Sequence, residues 1–147
     1  MIAPKGTYSK SAIEDSIDDL NTMLTESSSN SFFKIDIEGS EYRILDQLIK
    51  HASSMTGLVM ELHNCDLHID RIKNFIENFD LQLIHIHVNN YCRISPKKIP
   101  YTIEVTFSPK KFNKKITSDL KKFPTSLDQP NNNLFEDYIV EFDNKKI

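Results

Sequence analysis

The residues of this chain best suited to chemistry fall in three short clusters. They are Asp36 and Glu38; Glu61, His63 and Asn64; and His85, His87, Asn89 and Asn90. Each cluster closes an apolar stretch that reads as a strand, and alternate residues of a strand share a face. Asp36 with Glu38, Glu61 with His63, and His85 with His87 each lie two residues apart. Each strand end therefore offers two ionisable groups on one side, in a chain with only five histidines. Carboxylates left unpaired at the end of a buried strand are costly, which favours a use for them. Two chemistries suit the set. A histidine beside carboxylates can take a proton from an acceptor hydroxyl near neutral pH. Oxygen and imidazole ligands can instead hold a divalent metal that orients and acidifies the hydroxyl. No dedicated metal motif such as HExxH supports the second.

On this reading Asp36, Glu38, His63 and His87 are the catalytic candidates, and Glu61, His85, Asn89 and Asn90 are the substrate contacts. Spacing alone assigns no metal ligand and no cofactor contact. Glu41 reads as a cap on the helix that follows, since acids favour helix N-termini. His85 is read equally well as a hydrogen-bonded histidine on a half-buried sheet face. His51 and His68 fall on helix surfaces and receive no role.

The elements that must carry these residues follow from periodicity. Ser16 can cap a short helix whose Ile17, Leu20 and Leu24 share a face, with Asp19 in its first turn. The segment 25–31, "TESSSNS", is a break. Residues 32–38 form a nearly continuous apolar run, the pattern of a strand buried on both faces of a parallel sheet. Ile44, Leu45, Leu48, Ile49 and Ala52 predict an amphipathic helix over 40–53. Gly57 punctuates the chain, and 58–63 is a second strand. A helix over 66–78 carries the stripe Ile69, Ile72, Phe75, Ile76 and Phe79. The alternation in 81–88 marks a third strand, 89–100 is a loop with Pro96 and Pro100, and 101–107 is a fourth strand. Strands separated by single helices imply right-handed crossovers and a parallel sheet. The third and fourth strands have no helix between them, so an antiparallel pair is expected.

A chain of 147 residues is one domain with room for a core, and its 39% hydrophobic and 27% charged residues are ordinary for a soluble globular protein. No apolar run approaches the ~20 residues of a membrane span. The opening "MIAPKGTYSK" has no basic stretch followed by an apolar one, so it does not read as a signal peptide. Two cysteines, Cys65 and Cys92, make neither a disulfide framework nor a zinc motif, and the expected compartment is the reducing cytoplasm. Net charge of −3 argues against nucleic acid as a partner. Lys97, Lys98, Lys110, Lys111, Lys114, Lys115, Lys121 and Lys122 crowd one region. Without interleaved aromatics or arginines they read as a solvated surface rather than a phosphate-binding one. The three glycines, Gly6, Gly39 and Gly57, are too far apart to cradle a phosphate or nucleotide.

"FFKIDIEGSEYRIL" followed by "VMELH" resembles the FkbM-type methyltransferases, in which a Lys-Ile-Asp-hydrophobic-Glu-Gly-x-Glu segment precedes a helix and then a strand ending in Glu-x-His. "SIDDLNTML" looks like the helix that introduces that segment. "IHIHVNNYC", "IPYTIEVTF" and the later "FPTSLDQPNNN" and "DYIVEF" are similar to the final strands and tail of a subset of the family. The resemblance runs from residue 16 to the end. It implies a Rossmann-like class I methyltransferase fold that uses S-adenosylmethionine to methylate a hydroxyl, often on a sugar. It also implies that Asp36 and Glu38 lie at the reaction crevice, with Asp36, Glu61 and Asn64 where metal-dependent relatives of the fold hold a cation. The family's glycine-rich first loop, and the acid closing its second strand for the ribose, have no counterpart here. The expectation is therefore a C-terminal half: residues 1–107 a partial α/β domain of parallel strands, crossover helices and a final antiparallel strand, and 108–147 a Lys- and Asn-rich extension whose 137–142 can add an edge strand. Such a half, whether a truncated reading frame, a split gene product or a fragment completed by a chain that supplies the missing N-terminal half, is expected to bind no cofactor alone. The alternative is a non-catalytic half-domain that binds a ligand or metal beside a partner chain.

Overall fold

A computed structural model describes residues 22–25, 31–112 and 122–141. The helix expected after Ser16 falls largely outside them, as do Lys114, Lys115 and Lys121; residues 22–25 are helical, and Leu24 is buried in the core.

From residue 31 on, the described chain holds six strands and two α-helices: β1 (Ser31–Ile35), α1 (Leu45–Lys50), β2 (Met55–His63), α2 (Cys65–Asn78), β3 (Gln82–Val88), β4 (Thr102–Ser108), β5 (Lys122–Phe123) and β6 (Val140–Glu141). The first four strands form one sheet in the order β1-β2-β4-β3. β1 pairs with β2 in parallel, and β4 pairs antiparallel with both β2 and β3. The sheet is therefore mixed rather than parallel. The antiparallel pairing of the third and fourth strands matches expectation. What the sequence reading did not anticipate is that β4 enters between β2 and β3 and separates their ends.

Paired residues of neighbouring strands point the same way, so the register divides the sheet into two unlike faces. One carries Leu58, Met60, Leu62, Ile103, Val105 and Phe107, all buried against Leu45, Leu48, Ile72 and Phe75 of the helices. Gly57 does not end an element here. It is buried inside β2, where an added Cβ would lie 2.9 Å from the Phe32 ring and 3.3 Å from the Phe107 carbonyl oxygen. The other face carries Glu61, His63, Thr102, Glu104, Thr106, His85 and His87. β1 accordingly alternates, with Phe32 and Lys34 exposed, and is not the doubly buried strand its composition suggests.

The expected helix over 40–53 forms in three pieces. A 3₁₀ turn spans Glu41–Arg43, α1 follows, and a second 3₁₀ turn spans Ala52–Ser54. Ile44 N–H bonds to the Glu41 carbonyl, an i to i+3 closure that tightens the first turn. The predicted terminal strand is realised only at Val140–Glu141, and it pairs with β5 in a separate two-stranded sheet instead of extending the main edge.

Residues 122–141 lie on the polar sheet face. His85 Nε2 donates to Asp128 and His87 Nε2 to Asp137, each at 2.9 Å. Asn131 donates to Glu104 at 2.8 Å. Asn90 accepts from the Asn132 amide at 2.6 Å and donates to the carbonyls of Asn132 and Phe135. The described lysines of the basic region, Lys97, Lys98, Lys110, Lys111 and Lys122, are exposed, as a solvated surface requires. Among the described residues no helix is long and apolar enough to cross a membrane.

Candidate functional site at the ends of β1 and β2

β1 ends at Ile35, and Asp36, Ile37 and Glu38 belong to the turn beyond it. Glu38 takes a left-handed φ of 55° and Gly39 a φ of 92°, which reverses the chain within two residues. The turn is held from below by Glu41, whose Oε1 accepts the amides of Ile37 and Gly39, both at 3.1 Å. Asp36 and Glu38 are thus no longer an alternating pair on a strand. Their turn sets them separately at the rim, both exposed.

Glu41 is the residue that the sequence reading undervalued. Its side chain is fully buried, and it lies 3.0 Å from His63 Nδ1 at the end of β2. A carboxylate can only accept, so Nδ1–H donates and Nε2 is turned toward Glu38 and Glu61. Nε2 lies 4.0 Å from Glu38 Oε2 and 3.9 Å from Glu61 Oε1. Glu61 is in turn held by Asn89 Nδ2 at 2.8 Å. Burial pushes the Glu61 carboxyl above its usual range; Asp36 adds to this, while Asn89 and His63 oppose it.

Tyr42 and Cys65 floor the crevice. The Tyr42 hydroxyl donates to the His63 carbonyl at 2.6 Å and contacts Cys65 Sγ at 3.9 Å, which fixes the end of β2 against the 3₁₀ turn. Burial pushes the Cys65 thiol up to about 11, and the Tyr42 hydroxyl is raised by the same cause. Asn64 closes β2 in a left-handed conformation, φ 52°, and its amide would sit 3.3 Å from a Cβ on Gly39. A larger residue at position 39 would be both strained and crowded.

Asp36, Glu38, Glu61, His63 and Asn89 are thus gathered at one place, with Glu41 added. His85, His87 and Asn90 are not gathered there. Glu61 pairs with Glu104, and Glu104 with His87, so a full strand lies between them, a separation of roughly 10 Å at ~4.8 Å per strand. His87 is buried against Asp137 and His85 is bound to Asp128. Both serve the docking of residues 122–141, as does Asn90. The reading of His85 as a hydrogen-bonded sheet histidine describes it correctly. Asp128 and Asp137 were legible in the sequence only as acids in a polar tail.

Of the metal ligands that the resemblance implies, Asp36 alone belongs to the group whose geometry suits an ion. One ligand atom each from Asp36, Glu41 and His63 lie within 4.8 Å of one another. Glu61 is engaged by Asn89, and Asn64 turns toward Gly39. No cradle for S-adenosylmethionine appears among the described residues, where the glycines are Gly39 and Gly57 alone. A surface hollow lined by Leu45, Asp46, Asp70, Arg71 and Asn74 shares no residue with the crevice.

No family model matches the chain, and neither does any curated protein or solved structure.

Proposed function

We propose that this chain is the acceptor-side part of an S-adenosylmethionine-dependent O-methyltransferase of the FkbM type, working on a sugar or similar hydroxyl compound in the cytoplasm. The observation that carries the reading is the buried Glu41 carboxylate orienting His63, whose Nε2 faces Glu38 and Glu61. A parallel strand pair joined by a crossover helix, with an antiparallel last strand, supports the Rossmann-like half-domain that the reading needs. Methyl transfer asks little of a protein beyond aligning donor with acceptor and taking up one proton. Here Glu38 and Glu61 would hydrogen-bond neighbouring hydroxyls of the acceptor, and His63 would sit beside the reacting one. S-adenosylmethionine supplies the methyl group. Since the described residues do not fit it, donor binding is assigned to a glycine-rich half outside them.

The missing cradle also favours the second reading, a half-domain that binds its ligand without chemistry. Ligand-observed NMR with a sugar panel tests what the two readings share. One sugar class is expected to bind the wild-type chain and to lose binding in His63→Gln, and no binding by wild type would sink both. Transfer of tritium from S-adenosyl[methyl-³H]methionine to the bound sugar, with the glycine-rich half supplied alongside the chain, then separates catalysis from binding.

A further inference from the structure

The Glu41 carboxylate presents an anomaly that hydrogen bonding does not resolve. Oε1 receives three contacts, from the Ile37 and Gly39 amides and from His63 Nδ1. Oε2, in a fully buried side chain, has no hydrogen-bond partner among the described residues. A buried carboxylate oxygen left bare is expensive, because the water it gave up is not replaced. A carboxylate oxygen of Asp36, one of Glu41 and a ring nitrogen of His63 lie within 4.8 Å of one another, a donor set suited to a cation.

We infer that Asp36, Glu41 and His63 form a divalent cation site, in which the ion takes the place of the proton between His63 Nδ1 and the Glu41 carboxylate and that proton is released to solvent. Donor atoms about a common ion at about 2.1 Å lie no more than about 4.2 Å apart. The three donors lie within 4.8 Å, so closure requires a contraction of a few tenths of an ångström. Asp36 can supply it, being exposed and in the turn, while Glu41 is buried and His63 largely so. One imidazole with two carboxylates selects an ion of the Mn²⁺ or Zn²⁺ class over Mg²⁺ or Ca²⁺, which prefer oxygen alone. Three protein donors leave coordination positions that water or an acceptor hydroxyl could complete. That last role rests on the acceptor reading above; the binding of the ion does not.

The test uses the purified full chain and the metal alone. Mn²⁺ titration followed by electron paramagnetic resonance, and Zn²⁺ by competition with a chromophoric chelator, are expected to give one ion per chain. Asp36→Asn and His63→Gln should each weaken binding by at least about tenfold. Asp36 is exposed, so Asp36→Asn should leave the melting temperature of the metal-free chain unchanged, which separates ligation from folding. The exposed and distant Glu77→Gln should bind as wild type does. Absence of binding for both ions, equal binding by Asp36→Asn and His63→Gln, or a preference for Mg²⁺ or Ca²⁺ would each overturn the assignment. Failure of sugar binding with metal binding intact would instead remove the acceptor reading and leave this one standing.

Discussion

Glu41 organises the crevice because one carboxylate oxygen serves two parts of the chain at once. It fixes the turn that carries Asp36 and Glu38, and it aligns the ring that ends β2. In sequence it is an acid at a helix start, where a capping role is the ordinary reading, and nothing local distinguishes the two. Its burial depends on Tyr42 and Cys65 closing the floor, a tertiary fact. The state of that floor can be read through the two thiols. Cys65 is buried and its thiol is raised to about 11, so almost none of it is thiolate at neutral pH. Cys92 is partly exposed. Treating the folded protein with iodoacetamide at pH 7.5 should alkylate Cys92 and spare Cys65 until denaturant is added, as mass spectrometry of the digested chain would show. Labelling of Cys65 at a rate close to that of Cys92 would mean that the floor is open.

At the scale of elements, periodicity located the strands well because each has one apolar face: 81–88 and 101–107 were expected and Gln82–Val88 and Thr102–Ser108 are found. Order within the sheet was not legible. Whether β4 pairs beside β3 or also slips against β2 depends on which edge offers the better partner, and no local pattern encodes it. The consequence fell on His85 and His87, which were grouped with the crevice and instead hold the 122–141 segment. That docking is pH-sensitive through Asp128. Burial pushes this carboxyl up, but the His85 ring together with the Thr125 amide and hydroxyl outweighs burial and holds it below the usual carboxylate range. A depressed folded value means that the contribution is fully present above the unfolded value of about 3.9 and is lost as pH falls through the folded one. The Thr125 amide, 2.6 Å from Asp128 Oδ2, should therefore keep its hydrogen-exchange protection from pH 7 to about 4 and lose it below. Asp128→Asn should lower that protection already at pH 7. Protection that is unchanged in the variant would show the carboxylate to be a bystander.

The whole molecule is a sheet with two unlike covers, and they should fail at different free energies. One cover is apolar: α1 and α2 bury Leu45, Leu48, Ile72 and Phe75 against β2 and β4. The other is polar. Residues 122–141 reach the sheet through Asp128, Asn131 and Asp137 and bury Phe123, with Tyr138 and Val140 partly packed on the core, while Leu127, Leu134, Phe135 and Ile139 face outward and add little burial. Hydrogen bonds that replace water contacts contribute only ~1 kcal/mol each, whereas apolar burial scales with area. The segment is therefore expected to open as a unit well below the free energy of global unfolding. Native-state hydrogen exchange in rising denaturant would separate the two events. Amides of β2 and β4 should exchange only by global unfolding, with a steep denaturant dependence. Amides of 122–141 should exchange earlier with a shallow one, because little surface is exposed when the segment lifts. Were both sets to merge on one isotherm, the polar cover would be part of the cooperative core.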